Sequence, residues 1–269
     1  MTAQDLLCKA LRRGESSTLK KRFGQHFLTD PSILRRIVQF ARLTPEDTVV
    51  EIGPGAGSLT LALAAAVHRV IAIEIDRALI AELRARLPSN VEIIEGDAPE
   101  AVLHQIPFHV VANLPYNIAT PLLRRFIDYR DQILGITVMI QKEVADRLSA
   151  NPRTRDYGPL SVLIQYYATV AYGFTVPPGA FKPPPKVNSA VVRIDWKPRV
   201  LDDKRFTGFV HKAFSSRRKK LANNLQSMFG SESRAQILQR LESAGIDPNA
   251  RPEELSVAEF LRVYNQFRM

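Results

Sequence analysis

The feature that most constrains the fold is an alternation of short apolar runs with longer helical segments between Thr48 and Trp196. The short runs are rich in β-branched residues, and the longer segments repeat apolar residues at helical spacing. This alternation is typical of βα units around a mostly parallel sheet. The predicted strands cover residues 48–52, 70–75, 91–95, 109–112 and 134–140. We therefore predict a Rossmann-like α/β fold.

Helices are predicted between and around these strands, over residues 58–67, 77–87, 141–150 and 158–170. Another helix precedes the first strand, because Asp30 has the position of an N-cap and Pro31 that of the first helical residue. Residues 170–175 and 187–194 are predicted to form strands that flank a proline-rich loop. We expect these two strands to form an antiparallel edge of the sheet.

The composition changes after Trp196, where a linker-like stretch leads into helical periodicity from Phe206 onwards. No convincing strand follows. We predict a catalytic domain over residues 1–199, which includes a basic N-terminal extension over residues 1–22, and a small all-helical domain over residues 200–269.

Length and composition exclude several classes of protein. The chain has 269 residues, of which 45% are hydrophobic, and its apolar runs are broken by charge. None approaches the roughly 20 apolar residues that span a bilayer, and the first twenty residues resemble neither a signal peptide nor a transit peptide. We expect a cytoplasmic monomer. The single cysteine, Cys8, forms no internal disulfide and belongs to no metal-binding cluster, so no metal is expected.

The chain is strongly basic, with 37 Lys and Arg against 27 Asp and Glu and a net charge of +10. Such an excess favours a polyanionic partner, because cations that neutralise phosphates release condensed counterions. The alternative is a protein that is merely basic, with the run near the C-terminus forming a solvated helix face. The candidate nucleic-acid contacts are Lys20, Lys21, Arg22, Lys182, Lys186, Arg217, Arg218, Lys219 and Lys220.

A glycine-rich loop follows the first predicted strand in "VVEIGPGAGSLTLAL", where Gly53, Gly55 and Gly57 precede a helix. Glycines at such a position let the backbone approach a ligand, and the helix N-terminus offers N–H donors. The spacing differs from the G-x-G-x-x-G of dinucleotide binders. Taken alone, the loop is equally compatible with a tight strand-to-helix turn.

Acidic residues follow the next two predicted strands. Glu74 has the position at which a carboxylate accepts the ribose hydroxyls of an adenosine-containing cofactor. Asp97 is placed to accept from the adenine amino group, although a turn residue is the alternative, and Asp76 is interpreted as the cap of the next helix. Together with the glycine loop, these acids indicate binding of S-adenosylmethionine.

The fourth predicted strand ends in Asn113-Leu114-Pro115-Tyr116. The Asn113 side-chain oxygen and a backbone carbonyl near Leu114 can hold the two N6–H groups of an adenine and aim the nitrogen lone pair at a methyl donor. Tyr116 can stack on the extruded base. The alternative is a strand that ends in a proline turn beside a core tyrosine.

Three further residues are candidates from shorter patterns. Phe181 lies in "PPGAFKPPPKV", whose prolines could hold its ring as the second half of a base sandwich, although the local sequence favours a hydrophobic plug. In "KKRFGQHFLTD", His26 is a candidate for the methionine end of the cofactor and Leu28 for an apolar contact. A plain loop before a helix is the alternative there.

Several longer motifs carry a resemblance to a known family, namely "RFGQHFL", "EIGPGAGSLT", "NLPYNIATPLL", "QKEVADRL", "YGPLSVLIQYY", "FKPPPKVNSAVVR" and "AFSSRRKKLANNL". From about Arg22 to the C-terminus the chain resembles the bacterial KsgA (RsmA) family of ribosomal RNA adenine dimethyltransferases. The resemblance implies a class I methyltransferase sheet with an RNA-contacting helical domain. It also implies methyl transfer from S-adenosylmethionine to N6 of two adjacent adenosines in the 3′-terminal hairpin of 16S rRNA, during small-subunit biogenesis.

The resemblance also assigns residues, with cofactor contacts at His26, Leu28, Gly53, Glu74, Asp97 and Asn113, and base contacts at Asn113, Leu114, Tyr116 and Phe181. Gly55 belongs to the same cofactor loop. His26 departs from the family pattern, since many relatives carry Asn there. We expect direct methyl transfer without a covalent enzyme intermediate. The alternatives are an erythromycin-resistance methyltransferase, which acts on large-subunit rRNA, a DNA adenine methyltransferase, and an assembly factor whose main role is to occupy the immature subunit.

Overall fold

A computed structural model describes residues 26–96, 107–198, 204–216 and 219–268 of the chain. The strands are β1 (Phe27–Leu28), β2 (Thr48–Ile52), β3 (Arg69–Glu74), β4 (Val91–Glu95), β5 (Phe108–Asn113), β6 (Ile133–Gln141), β7 (Ala168–Val176), β8 (Phe181–Lys182) and β9 (Ser189–Trp196). The α-helices are α1 (Pro31–Ala41), α2 (Ser58–Ala64), α3 (Arg77–Arg84), α4 (Ala119–Asp128), α5 (Lys142–Ser149), α6 (Pro159–Tyr167), α7 (Lys204–Ala213), α8 (Leu221–Met228), α9 (Arg234–Ser243) and α10 (Val257–Phe267).

Seven strands form one mixed sheet in the order β4-β3-β2-β5-β6-β9-β7. The pairs from β4 to β6 are parallel, and β9 runs antiparallel to β6. All five residues of β2 are buried, as expected for a central strand that helices cover on both faces. β1 and β8 form a separate antiparallel pair.

The local signals for helix starts are confirmed. The backbone N–H of Ser32 donates to the Asp30 carboxylate at 2.8 Å, and Pro31 is the first residue of α1. Asp76 caps α3 in the same way, since the N–H of Ala78 donates to its carboxylate at 2.9 Å. Short polar side chains satisfy N–H groups that have no partner within their own helix.

The prediction of a helix over residues 158–170 is too long. Helix α6 ends at Tyr167 and β7 begins at Ala168. The β-branched Thr169 and Val170 join the edge strand, where pairing with the sheet outweighs the helical periodicity of the preceding residues. The second predicted edge strand begins at Ser189, two residues later than expected.

The chain divides into two compact units, Met1–Ala145 with Ala171–Trp196, and Asp146–Val170 with Lys197–Met269. The first unit contains most of the sheet. The segment Asp146–Val170 packs as part of the second unit, whereas the sequence boundary assigned it to the catalytic domain. The division into a catalytic domain and an RNA-contacting domain is a functional one and stays a prediction.

The second unit has its own core, which is rich in aromatic residues. Phe206, Phe209 and Phe260 are each at most 1% exposed and pack with apolar residues of the neighbouring helices. Its described residues beyond Trp196 form α-helices, a short 3₁₀ turn over Pro252–Glu254 and loops, in agreement with the helical periodicity. Among the described residues, no helix is long and apolar enough to cross a membrane.

Candidate active site

A cavity of about 280 Å³ opens at the carboxyl edge of the sheet, where β2, β3 and β5 end. The strand order reverses at β2, since β3 and β4 extend the sheet on one side and β5 and β6 on the other. Open α/β sheets bind ligands at such a point. The cavity is lined by residues 26–28, 51–56, 58–59, 73–75, 96 and 113–118.

The glycine loop forms the floor between β2 and α2. Gly53 and Gly55 have φ angles of +68° and +55°, which side chains rarely tolerate. A Cβ atom on Gly55 would lie 2.8 Å from the ring of Phe27 in β1. Only glycine therefore lets this backbone pass beneath the Phe27 ring.

Glu74 ends β3, is 4% exposed and lines the cavity. Its Oε1 accepts from the backbone N–H groups of Ile75 and Asp76, each at 2.9 Å, and its Oε2 accepts from the Gly55 N–H at 3.3 Å. A carboxylate offers about four acceptor positions. While all three of these hydrogen bonds are made, about one acceptor position of the Glu74 carboxylate therefore remains.

Asn113 ends β5, as the sequence predicted, and lines the cavity. Its side-chain Nδ2 donates to the backbone carbonyl of His26 at 3.2 Å. This bond orients the amide and uses its donor, which leaves Oδ1 as the acceptor of the group. Leu114 follows in the cavity wall and is held by its backbone N–H, which donates to the Met139 carbonyl at 3.0 Å.

The segment that carries His26 is tied to the proline-rich loop. Nδ1 of His26 lies 2.8 Å from the carbonyl oxygen of Pro183. Because a carbonyl only accepts, Nδ1 carries the proton in this hydrogen bond. Phe27 and Leu28 continue the attachment by pairing with Lys182 and Phe181.

Tyr116 is half-buried and lines the cavity. Its hydroxyl lies 2.6 Å from Oγ of Ser189, and its ring centre is 5.8 Å from that of His26, with a tilt of 31° between the two planes. Burial raises the pKa of the Tyr116 phenol, and the hydrogen bond with Ser189 partly opposes this shift. The phenol is therefore neutral at physiological pH.

Phe181 does not line the cavity. Its ring is 2% exposed and packs in the core with Leu28 and Ala180, which is the plug that the local sequence favoured. A base contact by Phe181 stays a prediction, and it requires the ring to leave this core.

Other predicted site residues lie outside the described part of the chain, namely Asp97, Lys20, Lys21, Arg22, Arg217 and Arg218. Gly96, the neighbour of Asp97, lines the cavity. Lys182, Lys186, Lys219 and Lys220 are exposed, as a contact with phosphates requires. Nζ of Lys220 donates to Oδ1 of Asn249 at 2.6 Å.

The sequence reasoning missed Glu51, the fourth residue of β2. Its side chain lines the cavity and is 1% exposed, and its Oε2 has no hydrogen-bond partner among the described residues. Burial raises the pKa of Glu51 to about 8. The Thr60 hydroxyl partly opposes this shift, and the nearby Glu74 carboxylate adds to it. A lone acid in an apolar strand, two positions before the first glycine of the loop, was the available signal.

The arrangement favours a particular ligand chemistry. The Oε2 atom of Glu51, buried and without a hydrogen-bond partner among the described residues, would be stabilised by a cation, and the acceptor position left on Glu74 suits a hydroxyl group. The described residues contain no cluster of three or more His, Cys, Asp or Glu side chains that could hold a metal ion.

Residues 16–268 match the family model described as "Ribosomal RNA adenine dimethylase". The chain belongs to this family. One relative in the family is "Ribosomal RNA small subunit methyltransferase A" of Pediococcus pentosaceus, which is 42% identical over 267 residues. That match covers 93% of this chain and 90% of the relative.

Solved structures show the same architecture. A dimethyladenosine transferase from Plasmodium falciparum superposes with a TM-score of 0.80 at 28% identity, covering 90% of this chain and 97% of that chain. The 23S rRNA methyltransferase ErmE superposes with a TM-score of 0.66 at 26% identity, covering 90% of this chain and 100% of that chain. The predicted Rossmann-like methyltransferase fold with C-terminal helices is therefore confirmed.

Proposed function

We propose that this protein is a 16S rRNA (adenine-N6,N6)-dimethyltransferase that uses S-adenosylmethionine. It methylates two adjacent adenosines in the 3′-terminal hairpin of 16S rRNA during small-subunit biogenesis. The observation that carries the proposal is a cavity that brings together the glycine loop, Glu74 and the turn from Asn113 to Tyr116. The curated relative's name, which specifies the small subunit, supports this choice of substrate.

The chemistry of the cavity fits the cofactor. S-adenosylmethionine, when bound, supplies an electrophilic methyl group on a sulfonium. Glu74 accepts the ribose hydroxyls, and accepting both displaces the longest of its present hydrogen bonds, the one from Gly55. Glu51 would hold a positively charged part of the cofactor, and such a charge would favour the ionised form of its carboxyl. The remaining cofactor contacts are His26, Leu28, Gly53, Asp97 and Asn113.

The turn from Asn113 to Tyr116 would hold the target adenine in the cavity. Oδ1 of Asn113 and the backbone carbonyl of Leu114 accept the two N6–H groups, which keeps the nitrogen lone pair directed at the methyl group. The amide is already oriented by its bond to the His26 carbonyl, so little reorganisation is required. Tyr116 stacks on the extruded base.

The partner is the precursor of the small ribosomal subunit, bound through its phosphates by the exposed lysines and by the basic run of the predicted domain over residues 200–269. Because ribosomal subunits assemble in the bacterial cytoplasm, the enzyme acts there. We expect it to act as a monomer and without a metal ion.

The test is transfer of labelled methyl groups to under-methylated small subunits, large subunits and duplex DNA in parallel, followed by nucleoside analysis. Dimethyladenosine from small subunits alone is the expected result. Label in large subunits or in DNA would assign the protein to another methyltransferase class, and tight subunit binding without any label would favour a pure assembly factor.

A matched pair of variants tests the cofactor assignment. Glu74→Ala should abolish S-adenosylmethionine binding in calorimetry and methyl transfer together, whereas Glu82→Ala, which alters an exposed carboxylate on α3, should change neither. If Glu74→Ala binds the cofactor normally, its role as the ribose acceptor is refuted.

A further inference from the structure

Ser189 is a buried polar residue that no sequence motif assigned to the site. It begins β9, is 0% exposed and pairs with Gln141 at the end of β6. The neighbouring carbonyl of Asn188 accepts from the Lys142 N–H at 2.9 Å, so the backbone at Ser189 is attached to the end of β6 and to the residue that follows it. The backbone from which the Ser189 hydroxyl projects is therefore held in one position.

The Ser189 hydroxyl forms a hydrogen bond with Tyr116, an aromatic residue of the candidate site. Its oxygen lies 2.6 Å from the Tyr116 phenol oxygen, across 73 positions of sequence. Tyr116 itself follows Pro115 in a turn, where the backbone limits its approach but leaves the two side-chain torsions to be set by its neighbours. The bond to Ser189 anchors the far end of the ring, and the His26 ring flanks it at 5.8 Å.

We propose that Ser189 is a positioning residue for methyl transfer, because its hydroxyl holds the Tyr116 phenol and thereby fixes the plane of the ring on which the target adenine stacks. The inference rests on the proposed function, in which Tyr116 contacts the base. It assigns Ser189 no contact with the base or the cofactor. A Tyr116 ring that rotates freely presents its face to the adenine for only part of the time. Because the hydrogen bond from Ser189 holds the ring, it also holds the stacked adenine and thereby orients N6.

Two features make the effect specific for the transfer step. In the proposed function many basic residues hold the subunit through its phosphates, so the orientation of one ring should hardly change the Michaelis constant for the subunit. Ser189 does not line the cavity, so cofactor affinity is unaffected. Loss of orientation therefore lowers kcat, by about five- to tenfold for one hydrogen bond.

The experiment is a double-mutant cycle with Ser189→Ala, Tyr116→Phe and the double variant. We measure kcat and KM on under-methylated small subunits and the dissociation constant of S-adenosylmethionine. Each single variant should lower kcat by about five- to tenfold, with KM and cofactor affinity within twofold of wild type. The double variant should be no slower than the slower single variant, because both changes remove the same bond.

Ser161→Ala is the matched control, since Ser161 is also 0% exposed and its hydroxyl accepts from the Gly158 N–H and donates to the Arg147 carbonyl. Ser161→Ala, like Ser189→Ala, removes a buried hydroxyl and should lower the unfolding free energy, but it should leave kcat unchanged. Ser189→Thr retains the hydroxyl and should recover most of the activity.

The outcomes separate the two proposals. If wild-type enzyme methylates small subunits and Ser189→Ala does so equally fast, the positioning role is overturned and the proposed function stands. Multiplicative effects in the double variant would also overturn it, because Ser189 would then act without Tyr116. If wild-type enzyme methylates no small subunits, the proposed function fails and this inference fails with it.

Discussion

Asn113 carries the most direct prediction for a single residue. Removing its side chain by Asn113→Ala deletes one of the two proposed acceptors for N6 and also removes the donor to the His26 carbonyl. We expect kcat to fall by about 100-fold, as for other preorganised hydrogen-bonding groups, with a much smaller loss of cofactor affinity. Single-turnover methyl transfer and calorimetric binding of S-adenosylmethionine measure the two effects. An unchanged kcat would exclude Asn113 as the N6 acceptor.

Because of the raised pKa of Glu51, we expect the free energy of unfolding to depend on pH. Its pKa is near 4.5 in the unfolded chain and about 8 in the folded protein, because burial disfavours the charged form. Between these values the folded state binds more protons than the unfolded state. The stabilisation that depends on protonated Glu51 is therefore fully present below about pH 4.5. It is lost as the pH rises towards 8, and the free energy of unfolding falls by up to about 1.4 kcal/mol per pH unit.

Glu51→Gln removes this titration, so its unfolding free energy should depend less steeply on pH than that of wild type. Urea denaturation of the cofactor-free protein between about pH 5 and 9 measures the slopes. Glu82→Gln, which alters an exposed acid, should leave the wild-type slope intact. Parallel slopes for wild type and Glu51→Gln would contradict a neutral Glu51.

The junction of β2 and α2 carries the prediction for a secondary-structure element. Gly57 has φ +81°, and an added Cβ atom would lie 2.6 Å from Cδ2 of Leu83 in α3. Gly57→Ala combines backbone strain with a steric overlap and should cost about 1–3 kcal/mol of unfolding free energy. Urea denaturation measures this loss.

Gly179→Ala is the control in the same unit, because no atom lies within 4 Å of an added Cβ at that position. Its unfolding free energy should stay within about 0.5 kcal/mol of wild type. Equal stability of the two variants would show that the junction tolerates a side chain.

The charge of the whole molecule predicts how subunit binding responds to salt. The net charge of +10 favours a polyanion, and Lys182 and Lys186 are exposed in the proline-rich segment. Changing both to Gln should weaken subunit binding and reduce the slope of log K against log salt by about one for each phosphate that is no longer neutralised. Arg84→Gln, which removes an exposed charge outside the predicted interface, should leave the slope unchanged. A slope that both variants leave unchanged would exclude the two lysines as phosphate ligands.

The sequence by itself determined the features that depend on neighbours along the chain. Strand and helix periodicity, the caps at Asp30 and Asp76, the glycine loop, and the positions of Glu74 and Asn113 at strand ends all follow from local patterns. Parallel strands then bring Glu74 and Asn113 to one edge, because their carboxyl ends point the same way. This explains why the fold, and eight of the 21 residues that line the cavity, could be predicted.

Only the tertiary structure decided which distant segments meet. Tyr116 meets Ser189 across 73 positions, Asn113 meets the His26 carbonyl across 87, and His26 meets Pro183 across 157. The burial of Phe181 in the core, and of the Glu51 Oε2 atom that has no hydrogen-bond partner in the described part of the chain, was likewise decided by the tertiary structure. A local pattern shows which chemical groups are available, but their partners and their exposure to water depend on how the whole chain packs, and these set the orientation and ionisation of each group.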